Sequence, residues 1–243
     1  MDDGARTLED SVEMVRMAVQ HGTTDLIATP HANLRYRFEP ELIHRRLAEI
    51  AEVAGTGIRL YSGCDFHLSY DNIQDAITNP RKYTLNQKCY LLVEFSDLLI
   101  FRNTPEIFAR LQEAGMVPVI THPERNALLQ QRLAQIEHWV ESGACVQVTA
   151  GSLLGVFGRH ALDFSKTLLD RGLVHFIASD AHNCQRRSPR LDEASEWLKA
   201  NYGESLAEAL FVANPRAALQ GEPLNSQRRE IITRRRRWYE IWR

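Results

Sequence analysis

Long hydrophobic runs are missing from this chain of 243 residues: no apolar stretch approaches the roughly 18 residues needed to cross a bilayer. The first twenty positions carry Asp2, Asp3, Glu9, Asp10 and Glu13. That pattern argues against a membrane span and against a secretory signal, so a cytoplasmic location is expected. Cysteine is scarce as well. Cys64, Cys89, Cys145 and Cys184 lie far apart with no Cys-x-x-Cys spacing, which argues against a structural zinc site and a disulfide framework. Cys145 is expected in the core; Cys64 and Cys184 stand next to acids and histidines, with packing the favoured role for both. An excess of one charge is also lacking. With a formal net charge of −2, the body of the protein gives no reason to expect nucleic-acid binding.

What is present is the material of one sizeable core, with 44% hydrophobic and 25% charged residues. We read a single domain over residues 1–225 and a tail over 226–243. The tail has seven arginines with Ile231, Ile232, Trp238, Ile241 and Trp242. It suits either a basic amphipathic helix on an anionic membrane surface or a solvated extension.

Along the chain, helices and strands alternate. Thr7 and Asp10 have capping-box spacing before an amphipathic segment that stops at Gly22. A strand over 24–30 delivers His31, and Glu39-Pro40-Glu41 opens a helix that runs to Gly55. A strand over 57–62 leads to Asp65, and residues 71–83 form a short, poorly defined helix or turn region. The run over 90–96 is a strand interrupted by Glu94, an acid that is costly in a core without a partner. Thr104-Pro105-Glu106 opens the next helix; a strand over 117–121 then delivers His122. Helix 124–142, strand 144–149 and helix 158–171 follow. The strand over 174–179 ends in Asp180 and His182, which an extended chain would turn to one face. Two helices, over 191–202 and 205–212, close the fold. Six strands alternating with helices predict right-handed crossovers and a parallel sheet, and polar residues after successive strands favour a barrel.

In a parallel barrel the strand ends face one rim, so Asp3, His31, Asp65, Glu94, His122, Asp180 and His182 converge. Taken singly, His31 or His122 fits a satisfied core histidine and Glu94 an ion-paired acid. Together, so many carboxylates and imidazoles need cations, and the mixed nitrogen and oxygen set suits manganese, zinc or iron at two or more sites. Arg125 stands near His122, and Arg186 and Arg187 follow His182. Guanidinium forks beside metals match phosphate oxygens, which suggests phosphoester hydrolysis; solvated loop arginines are the plainer alternative.

Several motifs carry a family resemblance. Asp2-Asp3-Gly4, Ala28-Thr29-Pro30-His31, Leu92-Val93-Glu94-Phe95-Ser96, Pro118 through Arg125 and Ala178 through Asn183 resemble the CpsB/CapC-type tyrosine-protein phosphatases of bacterial polysaccharide export, within the polymerase and histidinol phosphatase (PHP) superfamily. The resemblance runs in order to about Leu219. It implies an α/β fold, a distorted seven-stranded (β/α) TIM-like barrel with up to three metal ions, often Mn2+ and otherwise Zn2+, Fe2+ or Mg2+. Asp65, Glu94 and His122 match ligands of one ion, Asp65 bridges to another held by Asp180, and Asp3, His31 and His182 match ligands of the third. Arg125 and Arg187 match the phosphate-binding arginines. The resemblance also implies that bound metals would activate water for attack on phosphorus, with no cysteinyl-phosphate step.

The implied substrate is a phosphotyrosine protein, a membrane-associated bacterial tyrosine autokinase controlling capsule synthesis, and homo-oligomers are compatible with the resemblance. Two departures stand out. The family has Glu where this chain has Asp65, and its first strand, ending in His-x-His, precedes the Asp-Asp-Gly triplet, whereas this chain begins at Met1. The expectation is therefore a first strand and two ligands missing, with fewer ions bound. The alternatives are a PHP phosphatase for a small phosphomonoester such as histidinol phosphate, and a catalytically weakened binding protein.

Overall fold

The computed structural model describes residues 2–55 and 57–224. The tail over 226–243, and with it the membrane-surface reading, lies outside the described residues. In chain order the elements are α1 (Leu8–Gln20), β1 (Asp25–Ala28), β2 (His31–Ala32), α2 (Pro40–Ala54), β3 (Arg59–Ser62), β4 (Asp65–His67), α3 (Tyr70–Thr78), β5 (Tyr90–Glu94), α4 (Thr104–Glu113), β6 (Val117–Thr121), α5 (Ala127–Gln130), α6 (Leu133–Glu141), β7 (Cys145–Thr149), α7 (Ala150–Leu153), α8 (Arg159–Asp170), β8 (Phe176–Ala178), α9 (Asp192–Tyr202), α10 (Glu204–Glu208) and α11 (Asn214–Gln220).

All strand pairings are parallel. A six-stranded sheet runs β2-β4-β5-β6-β7-β8, and β1 pairs with β3 in a separate two-stranded unit. Two of the six expected strands, 24–30 and 57–62, form as β1 and β3, and each is followed across a kink by a short further strand, β2 and β4, that was not expected. Pro30 has no N–H to donate to a ladder, and the break at Thr29-Pro30 is matched across the pair at Gly63-Cys64. Gly63 is required there: a Cβ would sit 2.6 Å from Leu85 Cδ2 and 3.1 Å from both Ile27 Cγ2 and Thr29 Cγ2. Hydrogen bonds from Gly63 N to Ala28 O and from Asp65 N to Pro30 O carry the pairing across the kink.

The core explains why the strands look apolar on both faces. Leu91, Val93, Phe66, Ile120, Val146, Val148 and Ile177 pack outward against the helices. Tyr90, Leu92, Val119, Cys145 and Phe176 pack inward with Leu85 and Ala218. Successive residues alternate between the two clusters, as a pleated strand buried on both sides requires. Continuing the inward parity to the tips of β4, β5 and β6 gives Asp65, Glu94 and Thr121, which is how the fold aims the two acids at one place.

Local corrections have local causes. The capping box of Thr7 and Asp10 forms as expected. Residues 70–78 make a well-formed helix, capped by Ser69 Oγ on Asn72 N, where a poorly defined region was expected. The expected single helix over 124–142 is instead a short 3-10 turn over 123–125, then α5 and α6. Asn126, in extended conformation, stops the first turn and caps the next with its side chain on Leu128 N and Leu129 N. The last expected helix runs on through a π-helical stretch over 209–213 into α11. The widened turn lies just before Pro215, which has no N–H for the regular ladder.

Candidate metal centre

Seven side chains expected at the rim converge there. His31 and Asp65 are register partners across β2 and β4, and His67 pairs with Glu94 across β4 and β5. His31 Nδ1 lies 3.3 Å from Glu94 Oε2 and 3.6 Å from Asp65 Oδ2, while its Nε2 lies 3.4 Å from Asp3 Oδ1. The same Asp3 oxygen is 3.6 Å from His182 Nε2. His122 Nε2 is 3.7 Å from both Asp65 Oδ2 and Glu94 Oε1. Among the described residues two groups could hold a metal ion: Asp3, His31 and His182, and His31, Asp65 and Glu94, each with donor atoms within 4.8 Å of one another. His31 belongs to both.

Backbone geometry delivers these groups. β8 ends at Ala178, so Asp180 and His182 are not on a continuing strand as expected. Asp180 instead has φ 48°, and His122 has φ 34°. Left-handed backbone at non-glycine residues costs on the order of 1–3 kcal/mol and persists where surrounding structure imposes it. The turn at His122 returns inward a side chain that an extended continuation of β6 would send to the helices. The loop after β8 is closed by His182 N and Asn183 N, both donating to Arg187 O. The N-terminal acids are seated by Asp2, whose carboxylate accepts from Gly4 N at 3.1 Å and from His31 N at 3.1 Å.

Arg125 and Arg187 meet on one oxygen. Both donate to Asp180 Oδ2, Arg187 at 2.5 Å. Arg125 also lies over the Phe157 ring, 4.4 Å from its centroid. Arg186, the third arginine considered, points elsewhere and donates to Val156 O. Asp2, Thr121, Glu124 and Phe157 were not expected as contributors. Thr121 Oγ1 donates to Val93 O and faces Asp65 Oδ1 at 3.4 Å. Asp2, directly before Asp3, was a usable signal; Phe157, far from Arg125 in sequence, gave none.

The electrostatics are those of a cation site. Glu94, burial notwithstanding, raises the His31 imidazole to about 9, with Asp65 and Asp3 adding to it. Burial works to raise Glu94, but the nearby imidazoles of His31 and His122 outweigh it and lower its carboxyl. Burial opposes a proton on His122, and the Asp65 carboxylate overcomes it. Asp180 is held low because His122, Arg125 and Arg187 outweigh its burial. His31 Nδ1 is buried without a hydrogen-bond partner, although two carboxylates face it. A nitrogen crowded by carboxylate oxygens that are not aligned to hydrogen-bond to it is placed as a ligand, so the residues present fit divalent cations. The thiols fit no nucleophilic role. Burial raises all four, Cys64 well above its ordinary value, and all four are free.

The strand tips of a parallel α/β fold thus gather imidazoles and carboxylates beside two arginines, the make-up of a metal-dependent hydrolase. Known proteins agree. Residues 1–220 match the capsular polysaccharide synthesis family CpsB/CapC. The chain is 33% identical to the tyrosine-protein phosphatase YwqE of Bacillus subtilis, covering 97% of this chain and 94% of that protein. It is also 33% identical to the putative tyrosine-protein phosphatase CapC of Staphylococcus aureus, covering 99% and 95%. Among solved structures, it matches one described with YwqE and Streptococcus pneumoniae CpsB as unique metal-dependent tyrosine phosphatases. That match has a TM-score of 0.87 at 33% identity, covering 98% of this chain and 96% of the other. This chain belongs to the CpsB/CapC family, and its fold is the distorted α/β barrel of the PHP type.

Proposed function

We propose that this protein is a metal-dependent phosphatase that hydrolyses phosphotyrosine on proteins in capsular polysaccharide synthesis. The observation that carries the reading is the meeting of Arg125 and Arg187 on Asp180 Oδ2 beside two ligand groups that share His31. Two guanidinium groups that share an acidic oxygen can equally grip a phosphoryl group. Asp3, His31, Asp65, Glu94, His122, Asp180 and His182 would hold the ions, with manganese the metal we favour. Bound cations supply Lewis-acid stabilisation and bring the pKa of water near 7.

The chain's own residues do the rest. Arg125 and Arg187 bind and orient the phosphoryl oxygens, and their charge counts for more as charge develops there in the transition state. Phe157 holds the Arg125 plane, and the hydrogen bonds of His182 N and Asn183 N to Arg187 O fix the loop that carries Arg187. The leaving group is a phenol with a pKa near 10, which departs more readily than an alkoxide and asks little of a general acid.

The protein substrate we favour is a membrane-associated tyrosine autokinase, with the enzyme working at the inner face of the membrane. No helix among the described residues is long and apolar enough to cross a membrane. The direct test is Mn2+-dependent release of phosphate from a phosphotyrosine peptide, set against histidinol phosphate. Turnover of histidinol phosphate in preference to the peptide, or no turnover of either with metal bound, overturns the reading.

A further inference from the structure

A histidine that binds a metal through one ring nitrogen is ordinarily oriented by a hydrogen bond from the other nitrogen to a carbonyl or carboxylate. His182 follows that rule. Its Nδ1 donates to Asp180 O at 3.1 Å, which leaves Nε2 facing Asp3. His31 has no nitrogen to spare. Its Nδ1 faces Glu94 and Asp65 with no hydrogen-bond partner, and its Nε2 faces Asp3. The second torsion of a histidine side chain is broad, so a ring without such a bond turns unless its faces are held.

What meets the His31 imidazole is aromatic. The Tyr36 ring lies within 20° of parallel to it, with centroids 6.2 Å apart, and the His182 ring stands at 61° with centroids 6.4 Å apart. Both separations are within the range of favourable ring contacts. The loop that brings Tyr36 back to the site is tied down along its length. Asn33 Oδ1 accepts from Arg35 N and from Tyr36 N, both at 2.9 Å, and Asn33 N donates to Tyr36 O at 3.0 Å. At the root of the loop Asn72 Nδ2 donates to Ala32 O and His67 O, which fixes the end of β2 to α3. The Arg35 guanidinium adds a further contact, 5.1 Å from the centroid of the Tyr36 ring.

We propose that Tyr36 is a positioning residue of the metal centre: its ring holds the His31 imidazole in the plane where Nδ1 and Nε2 each serve a ligand group. This rests on the reading of these residues as metal ligands and adds to it a residue that touches no metal itself. Contact between ring faces takes the place of the orienting hydrogen bond that His31 lacks. The Tyr36 hydroxyl has no part in it. An aliphatic side chain would fill the space without offering a flat face to the imidazole.

The test is Mn2+ binding to the metal-free protein, followed by the electron paramagnetic resonance signal of free Mn2+. Tyr36→Phe keeps the ring and should bind as the parent does. Tyr36→Leu and Tyr36→Met should weaken binding by about 10–100-fold, the usual cost of removing a group that orients a ligand. Urea unfolding in chelator, before metal is added, shows that each variant is folded; two aliphatic variants are used so that poor folding of one does not decide the result. Parent-like affinity in a folded aliphatic variant, or a loss in Tyr36→Phe equal to theirs, overturns the role of the ring. A parent that binds no Mn2+ overturns instead the metal-ligand reading beneath it.

Discussion

His31 and Asp65 stand opposite each other in adjacent strands, and the histidine uses both ring nitrogens within the site, Nδ1 toward Asp65 and Glu94 and Nε2 toward Asp3. One imidazole therefore joins two ligand groups. His31→Ala should lower metal content in both, where His122→Ala removes a contact to the Asp65 and Glu94 side alone. We expect His31→Ala to reduce phosphatase turnover by a hundredfold or more, about 2.7 kcal/mol of transition-state stabilisation. Metal content by mass spectrometry checks the claim. Parent-like metal binding in His31→Ala would remove this residue from the ligand set.

Because Arg125 and Arg187 act on a single oxygen, their losses should not add. Each alanine variant is expected to lose on the order of 3 kcal/mol, a hundredfold or more in kcat, with metal content unchanged. The double variant should fall little below the singles, since the second fork alone cannot hold the group. Lysine at either position should recover little, because a point charge does not reproduce the planar fork. Kinetics on the five variants, together with metal analysis, decide it. Independent, additive losses would mean that the two side chains serve different groups.

Much of this arrangement was legible in the sequence, and the illegible part has physical causes. Alternation of apolar runs with amphipathic segments gave the parallel α/β architecture, and the residues at the strand tips are the ones whose side chains come together at the rim. Pro30 was a readable signal for the split between β1 and β2; the matching break at Gly63-Cys64 was not, because it depends on the close approach of Leu85. Asp180 and His182 were expected to share a face of one strand. Left-handed backbone at Asp180 separates their roles instead, the acid turning to the arginines and the histidine to Asp3. The partners of Asp2 and the ring of Phe157 follow from tertiary packing, which no spacing pattern encodes.

Glu124, adjacent to Arg125, is fully buried and is a structural residue. Its Oε1 accepts from Thr149 N at 3.0 Å and from Ser152 Oγ at 2.7 Å, joining the turn after β6 to the start of α7. Burial raises its carboxyl toward the neutral form, so glutamine is close in both shape and charge. Glu124→Gln should cost under about 1 kcal/mol, whereas Glu124→Ala strands two donors over a cavity and should cost about 3 kcal/mol. Urea unfolding of both variants gives the answer. Equal losses would mean that the acceptor oxygen is not what matters.

The last prediction concerns acid stability and a histidine remote from the metals. His175 precedes β8, and its Nδ1 accepts a hydrogen bond from Val146 N at 3.1 Å, so the ring is neutral with its proton on Nε2. Burial pushes it down to about 4, below the ordinary value of 6.5. A histidine depressed in the folded state binds fewer protons than its unfolded counterpart between those two values. Its contribution is therefore complete above about pH 6.5 and is lost as pH falls toward 4. The ceiling is about 3 kcal/mol, reduced by the partial solvent contact of the ring. Parent protein and His175→Gln should be compared by urea unfolding in chelator at pH 7 and pH 4.5. The stability lost between the two pH values should be smaller in His175→Gln than in the parent by about 1–2 kcal/mol. Identical losses would show that His175 titrates normally and that its bond to Val146 does not keep the ring neutral.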